Sequence, residues 1–117
     1  MILSHYLEKS WSPDYDCWSL VQEFYQRELN IELPDVACNA LNIREVLDEF
    51  ELTDLYSLFR PALSPSHGCV VEMGTNGRSS HVGIYLEYSG GRILHNHYFG
   101  GVVCEPKPRH DILGYFT

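Results

Sequence analysis

At 117 residues the chain is the size of one domain, and 44% hydrophobic residues supply enough apolar surface for a core without disulfides or metal. Sixteen acidic against 8 basic residues leave a formal net charge of -8, which excludes the basic patch of a nucleic-acid binder and the polybasic face of a membrane-surface binder. No run approaches the length of a membrane span, and Met1-Ile2-Leu3-Ser4-His5-Tyr6 lacks the charged flank and apolar stretch of a signal peptide.

The first half of the chain reads as helix and the second half as strand. The first helix is expected from Cys17 to Leu29. Leu20, Val21, Phe24, Tyr25 and Leu29 recur at helical spacing, with Glu23, Gln26 and Arg27 on the other face. Asp16 is a good N-cap, because its carboxylate accepts amide hydrogens that the first turn leaves unpaired. The helix fades at Asn30 and ends by Pro34. A second helix is expected from Asn42, where Asn42 and Glu45 make a capping-box pattern ahead of Val46, Leu47 and Phe50. A short third segment covers Leu55 to Phe59 and stops at Arg60-Pro61. Strands are then expected over Cys69–Met73, His81–Tyr88, Arg92–His97 and Val102–Cys104, with Ile112–Phe116 closing the sheet. Gly74 to Ser79 reads as a turn or short loop, and Ser89-Gly90-Gly91 as a hairpin turn. Helices followed by strands imply one α+β domain over residues 1–117, its N-terminal helices packed on one face of a C-terminal antiparallel sheet.

Cys17 carries the first chemical signal. At a helix start, unpaired amides and the helix dipole favour a thiolate, which is what a nucleophilic cysteine needs. The plainer reading is a small buried hydrophobe. His81 opens the strongest strand, Ser80-His81-Val82-Gly83-Ile84-Tyr85-Leu86. Taken alone it is an ordinary edge-strand histidine. Gly83 shares its strand face, so another element can approach closely there, and the helix start carrying Cys17 is the expected visitor. His95 lies on the return strand. A Cys-His pair needs a third group to hold the imidazole, and His95 is the candidate, with His97 on the same face as the alternative. His81 and His95 are not in direct register across the hairpin, so their meeting requires a bulge or a diagonal contact. A zinc site is the rival use of these residues, with His67, Cys69, His95, His97 and Cys104 as possible ligands. No Cys-x-x-Cys or His-x3-His pair supports it, so neither metal nor cofactor is expected. The four cysteines, Cys17, Cys38, Cys69 and Cys104, are expected to be free thiols.

Taken in order, Asp16-Cys17-Trp18-Ser19-Leu20-Val21, then Phe24-Tyr25, then Ile31-Glu32-Leu33-Pro34, resemble the nucleophile helix and exit of the NlpC family of papain-like bacterial cell-wall peptidases. His81-Val82-Gly83-Ile84-Tyr85-Leu86 resembles the family's histidine strand, and Ile93-Leu94-His95 ahead of Gly100-Gly101-Val102-Val103 its third polar position. Trp18 and the stretch Arg27-Glu28-Leu29-Asn30-Ile31-Glu32-Leu33-Pro34 look most like the branch carried in bacteriophage tail-tip proteins.

The resemblance implies a papain-like fold and hydrolysis of an amide bond in peptidoglycan stem peptides. Cys17 would be the nucleophile, His81 its base and His95 the group that orients His81, with the Cys17 backbone amide helping to hold the oxyanion. It implies peptidoglycan as substrate, other tail-tip proteins as partners and the virion tail tip as the place of action. The alternatives are a structural tail-assembly subunit with a vestigial site, or a related thiol amidase or acyltransferase. Three departures touch the substrate side. Ser19 stands where the family has glycine, Cys69 where it has an acidic residue, and Ser10-Trp11-Ser12-Pro13-Asp14-Tyr15 is a shortened approach to the nucleophile. The family's cleft tyrosine has three possible counterparts here: Tyr6, Trp11 and Tyr15.

Overall fold

The computed structural model describes residues 3–33, 60–106, 108 and 110–117. The helix expected from Asn42, the segment Leu55–Phe59 and Cys38 lie outside them. In chain order the elements are α1 (Ser4–Leu7), α2 (Cys17–Leu29), β1 (Pro61–Ala62), β2 (Val70–Thr75), β3 (Arg78–Leu86), β4 (Arg92–His97), β5 (Gly101–Glu105) and β6 (Asp111–Phe116). All strand pairs are antiparallel, and the order across the sheet is β1-β6-β2-β3-β4-β5. The molecule is α+β, as its sequence pattern implies.

The longer helix has the bounds its pattern predicts. Asp16 Oδ1 accepts from the Ser19 amide at 3.0 Å, and Asn30 ends the helix with φ 55, a left-handed cap. Leu20, Val21, Phe24 and Tyr25 are buried against the sheet. There they meet Val82, Ile84 and Leu86 of β3, Leu94 of β4, and Val70, Val102 and Phe116. Each such side chain contributes about 1.5–3 kcal/mol through the apolar area it removes from water. Period-two alternation sends Val71, Met73 and Ile93 to a second, smaller cluster with Tyr85 and Tyr115.

One strand expectation changes. The span Gly74–Ser79 is mostly strand, because β2 runs on to Thr75 and β3 begins at Arg78. Only Asn76 and Gly77 turn, both at positive φ (54 and 77), the two-residue hairpin that a right-twisted strand pair prefers. The last strand, β6, joins the sheet. It crosses back and lies between β1 and β2. Beside β5, the Val102 amide donates to the Lys9 carbonyl at 3.1 Å, which ties the N-terminal segment to that strand.

The register is interrupted just before His81. Gly74 pairs with Ser79 and Met73 with His81, so Ser80 is an extra residue on β3. Such a bulge bends its strand and re-aims the next side chain. Gly74 permits the crowding, since a Cβ there would stand 1.8 Å from the Arg78 carbonyl oxygen.

Candidate active site

A cavity of about 310 Å³ opens where the approach to α2, the ends of β3 and β4, and the β5–β6 loop meet. Trp11, Asp16 and Cys17 line it from the N-terminal side, and Ser80 and His81 from β3. Asn96 and His97 come from β4, Tyr98 and Phe99 from the following turn, and His110 from the last loop. The helix start is held there by Asn96, fully buried, whose Nδ2 donates to the Tyr15 carbonyl at 2.8 Å and to the Asp16 carbonyl at 3.3 Å. Ser19, the departure from the family's glycine, gives its hydroxyl to Asp16 Oδ1 at 3.0 Å and so reinforces the cap.

The expectation of a lowered thiol pKa at Cys17 is overturned. Burial pushes the thiol up to about 12, with the Asp16 charge adding to it; backbone hydrogen bonds from Val82, Trp18 and Cys17 itself work the other way. Only 4% of the residue is exposed, so desolvation of the anion outweighs the helix start. The Val82 contact also places the sulfur beside the backbone of the residue that follows His81.

His81 and His95 meet diagonally. Gly83 is the register partner of His95, and His81 lies two residues along the same face. His81 Nε2 and His95 Nδ1 are 2.8 Å apart, with ring planes at 78°. Gly83 is required, but for a different neighbour than expected. A Cβ there would stand 2.9 Å from the Leu94 oxygen and 3.0 Å from His95 Cβ, so its missing side chain makes room for β4. Burial lowers the His81 pKa to about 3, with His95, His110 and His97 adding to the shift.

Two neighbours went unread in the sequence. Glu105 Oε1 lies 2.8 Å from His95 Nε2. Extending the fourth expected strand past Cys104 would have placed it beside His95. His110 stacks on His81, centroids 4.6 Å apart and planes at 20°, and its Nδ1 is buried without a hydrogen-bond partner. No sequence signal marked it, because it comes from a loop. His97, the alternative third residue, lines the cavity and its ring centroid is 6.2 Å from that of His95, whereas it is His95 that bonds His81. Of the three cleft aromatics, Trp11 lines the cavity. Tyr6 is buried with its hydroxyl on Glu28, and the Tyr15 hydroxyl donates to Glu23. Tyr98 and Phe99 are exposed at the rim, and Tyr98 lies 4.5 Å from Trp11.

Nitrogen atoms of His81, His95 and His110 lie within 4.8 Å of one another, close enough to raise the question of a metal. The donors do not converge. The His81 and His110 rings are stacked nearly parallel, so their in-plane lone pairs run side by side, and His81 and His95 are bonded to each other. A zinc ion needs its nitrogens aimed at one point about 2.0–2.1 Å away. Of the ligands weighed from sequence, His67 has its Nδ1 lone pair engaged by the Glu87 amide at 3.0 Å. Cys17, Cys69 and Cys104 are free thiols.

The sequence profile of the NlpC/P60 family matches residues 6–112. No curated protein and no solved structure matches the chain.

Proposed function

The chain belongs to the NlpC/P60 family, a family of cell-wall cysteine peptidases and amidases, and on that premise we propose that it is a peptidoglycan endopeptidase cutting a stem-peptide amide bond. Cys17 is the nucleophile, His81 the base and His95 the group that orients His81. The supporting observation is that Cys17 and His81 line one cavity while His81 and His95 share a 2.8 Å hydrogen bond. The arrangement is papain-like, and the chain works as one domain over residues 1–117.

As the Cys17 sulfur bonds to the amide carbonyl, its proton passes to His81. The C–N bond then breaks, and the leaving amine takes that proton. Water attacks the resulting thioester while giving a proton to His81. The C–S bond breaks, the sulfur recovers its proton from His81, and the peptide leaves as a carboxylic acid that gives its proton to water. Backbone amides at the start of α2 face the developing oxyanion. Among the described residues no helix is long and apolar enough to cross a membrane. Delivery to the wall is by a larger assembly, a phage tail tip whose other proteins are the partners.

The test is a zymogram on purified peptidoglycan with fragments identified by mass. Wild type should release fragments cut within the stem peptide, and Cys17→Ala should cut at least about a thousandfold more slowly. Equal cleavage by both would remove Cys17 from the reaction. The buried, raised thiol favours a second reading, a structural tail subunit with a vestigial site. Rapid labelling of Cys17 by a thiol probe speaks for the enzyme, and an inert Cys17 in a folded chain that cuts nothing speaks for the subunit.

A further inference from the structure

His81, His95 and Glu105 stand on three neighbouring strands and step diagonally across the sheet. His95 pairs in register with Val103, and Glu105 lies two residues further along β5 on the same face. The hydrogen bonds run His81 Nε2 to His95 Nδ1 at 2.8 Å and His95 Nε2 to Glu105 Oε1 at 2.8 Å. We propose that Glu105 is a positioning residue that selects the tautomer of both histidines, and through them the atom of His81 that receives the Cys17 proton. The inference rests on reading Cys17 and His81 as the working pair.

A carboxylate only accepts, so its 2.8 Å contact puts the hydrogen of His95 on Nε2. A neutral imidazole carries one N–H, which leaves His95 Nδ1 as a lone pair. That lone pair accepts from His81 Nε2–H, and His81 Nδ1 is left as the free base. The opposite arrangement has His95 donating through Nδ1. It would set the His95 Nε2 lone pair against the carboxylate and leave a hydrogen on His81 Nδ1, where the thiol proton has to go. With only His81 and His95 present the two arrangements are equally bonded; Glu105 makes them unequal. Burial holds His95 below its ordinary range, against the pull of Glu105, which keeps the ring neutral. Glu105 is itself 41% exposed, so the pair does little for stability. Its effect is on proton direction.

The experiment records long-range proton–nitrogen spectra of histidine-labelled full chain, with kcat and KM measured on the same samples. Wild type should show both His81 and His95 protonated at Nε2. Glu105→Ala should give mixed tautomers at both rings and a kcat lower by about 10–100-fold, with KM changed less than about twofold. Glu105→Gln offers an amide donor as well as an acceptor oxygen, so it too should give mixed tautomers at both rings and a lowered kcat. The proposal is overturned by a wild-type His95 protonated at Nδ1, by unchanged tautomers in Glu105→Ala, or by a loss confined to KM. If Glu105→Ala does not fold, the tautomers of wild type and Glu105→Gln decide. If folded wild type cleaves nothing, the proposed reaction falls, while the tautomers still decide the role of Glu105.

Discussion

Cys17 shows why the position of a thiol along a helix is an incomplete guide to its charge. The first turn offers it amide hydrogens, but the packing that sets it in the cavity wall also removes it from water, and desolvation of the anion is the larger effect. His81 is pushed the opposite way for the same reason. On the proposed reading the resting pair is therefore a neutral thiol and a neutral imidazole, and proton transfer would accompany attack. The titratable groups acting on His81 are His95 and His97 from β4 and His110 from the last loop, while Asp16 and Cys17 at the start of α2 line the same cavity. With His81 near 3 and Cys17 near 12, kcat/KM should be flat from about pH 5 to about pH 9. A resting ion pair would instead give an acid limb near the thiol's pKa. An inflection close to 6.5 in a rate profile at constant ionic strength, with the fold intact, would sink the neutral-pair description. The fold must be checked at the acid end. A histidine whose folded pKa is lowered binds fewer protons than the unfolded chain between about 3 and 6.5, so stability falls as pH drops through that window.

At the level of elements, what could be read from the sequence was what local chemistry determines. Asp16, the Leu20-Val21-Phe24-Tyr25 stripe and Asn30 fix α2 by capping and periodicity alone, and the β-branched run after His81 fixes most of β3. The diagonal contact of His81 with His95 was also within reach, because the hairpin turn sets the register. Asn76-Gly77 carried a hairpin signal that its loop-like neighbours obscured. The bulge at Ser80, the return of β6 to the far side of β2, and the arrival of His110 depend on tertiary contacts with no local pattern. Gly83 was singled out correctly and for the wrong neighbour, since sequence shows that a side chain is missing without showing what fills the room. Gly83→Ala should therefore act through β4. Its Cβ would meet the Leu94 oxygen at 2.9 Å and His95 Cβ at 3.0 Å, so β4 must shift or His95 must turn. The expected cost is about 1–3 kcal/mol of stability. Cleavage should fall further than the unfolded fraction explains. Denaturation curves and activity from one preparation check this, and full activity in the folded fraction would show that His95 tolerates the shift.

At the scale of the whole molecule, the cavity depends on the segment that precedes α2. Residues 8–16 carry Trp11 and Asp16 to the cavity and lend the Lys9 carbonyl to β5. Besides those backbone contacts and Asn96, one carboxylate gathers two of their side chains. Glu23 faces away from the apolar stripe of α2, yet its side chain is only 19% exposed. It accepts from Lys9 Nζ at 2.9 Å and from the Tyr15 hydroxyl at 2.8 Å, and its Oε1 lies 2.6 Å from His5 Nε2. Burial alone would raise its pKa, but the hydrogen bonds from Lys9, His5 and Tyr15 prevail and lower it. A carboxyl lowered in the folded state contributes stability that is fully present above its unfolded value, about 4.3, and is lost as pH falls through the folded one. Glu23→Ala should thus lower unfolding stability by about 1–3 kcal/mol near pH 7, the range for charge-assisted hydrogen bonds that are partly open to water. The difference from wild type should shrink steadily as the pH is taken down through the carboxyl range. Cleavage should fall as well, because a loosened residue 8–16 segment no longer holds Trp11 and Asp16 beside Cys17. Urea titrations of both proteins from pH 3 to pH 7, read by tryptophan fluorescence, measure the stability effect directly. A difference that stays constant across that range would mean Glu23 acts by packing, and that its charge does not fasten the N-terminal segment.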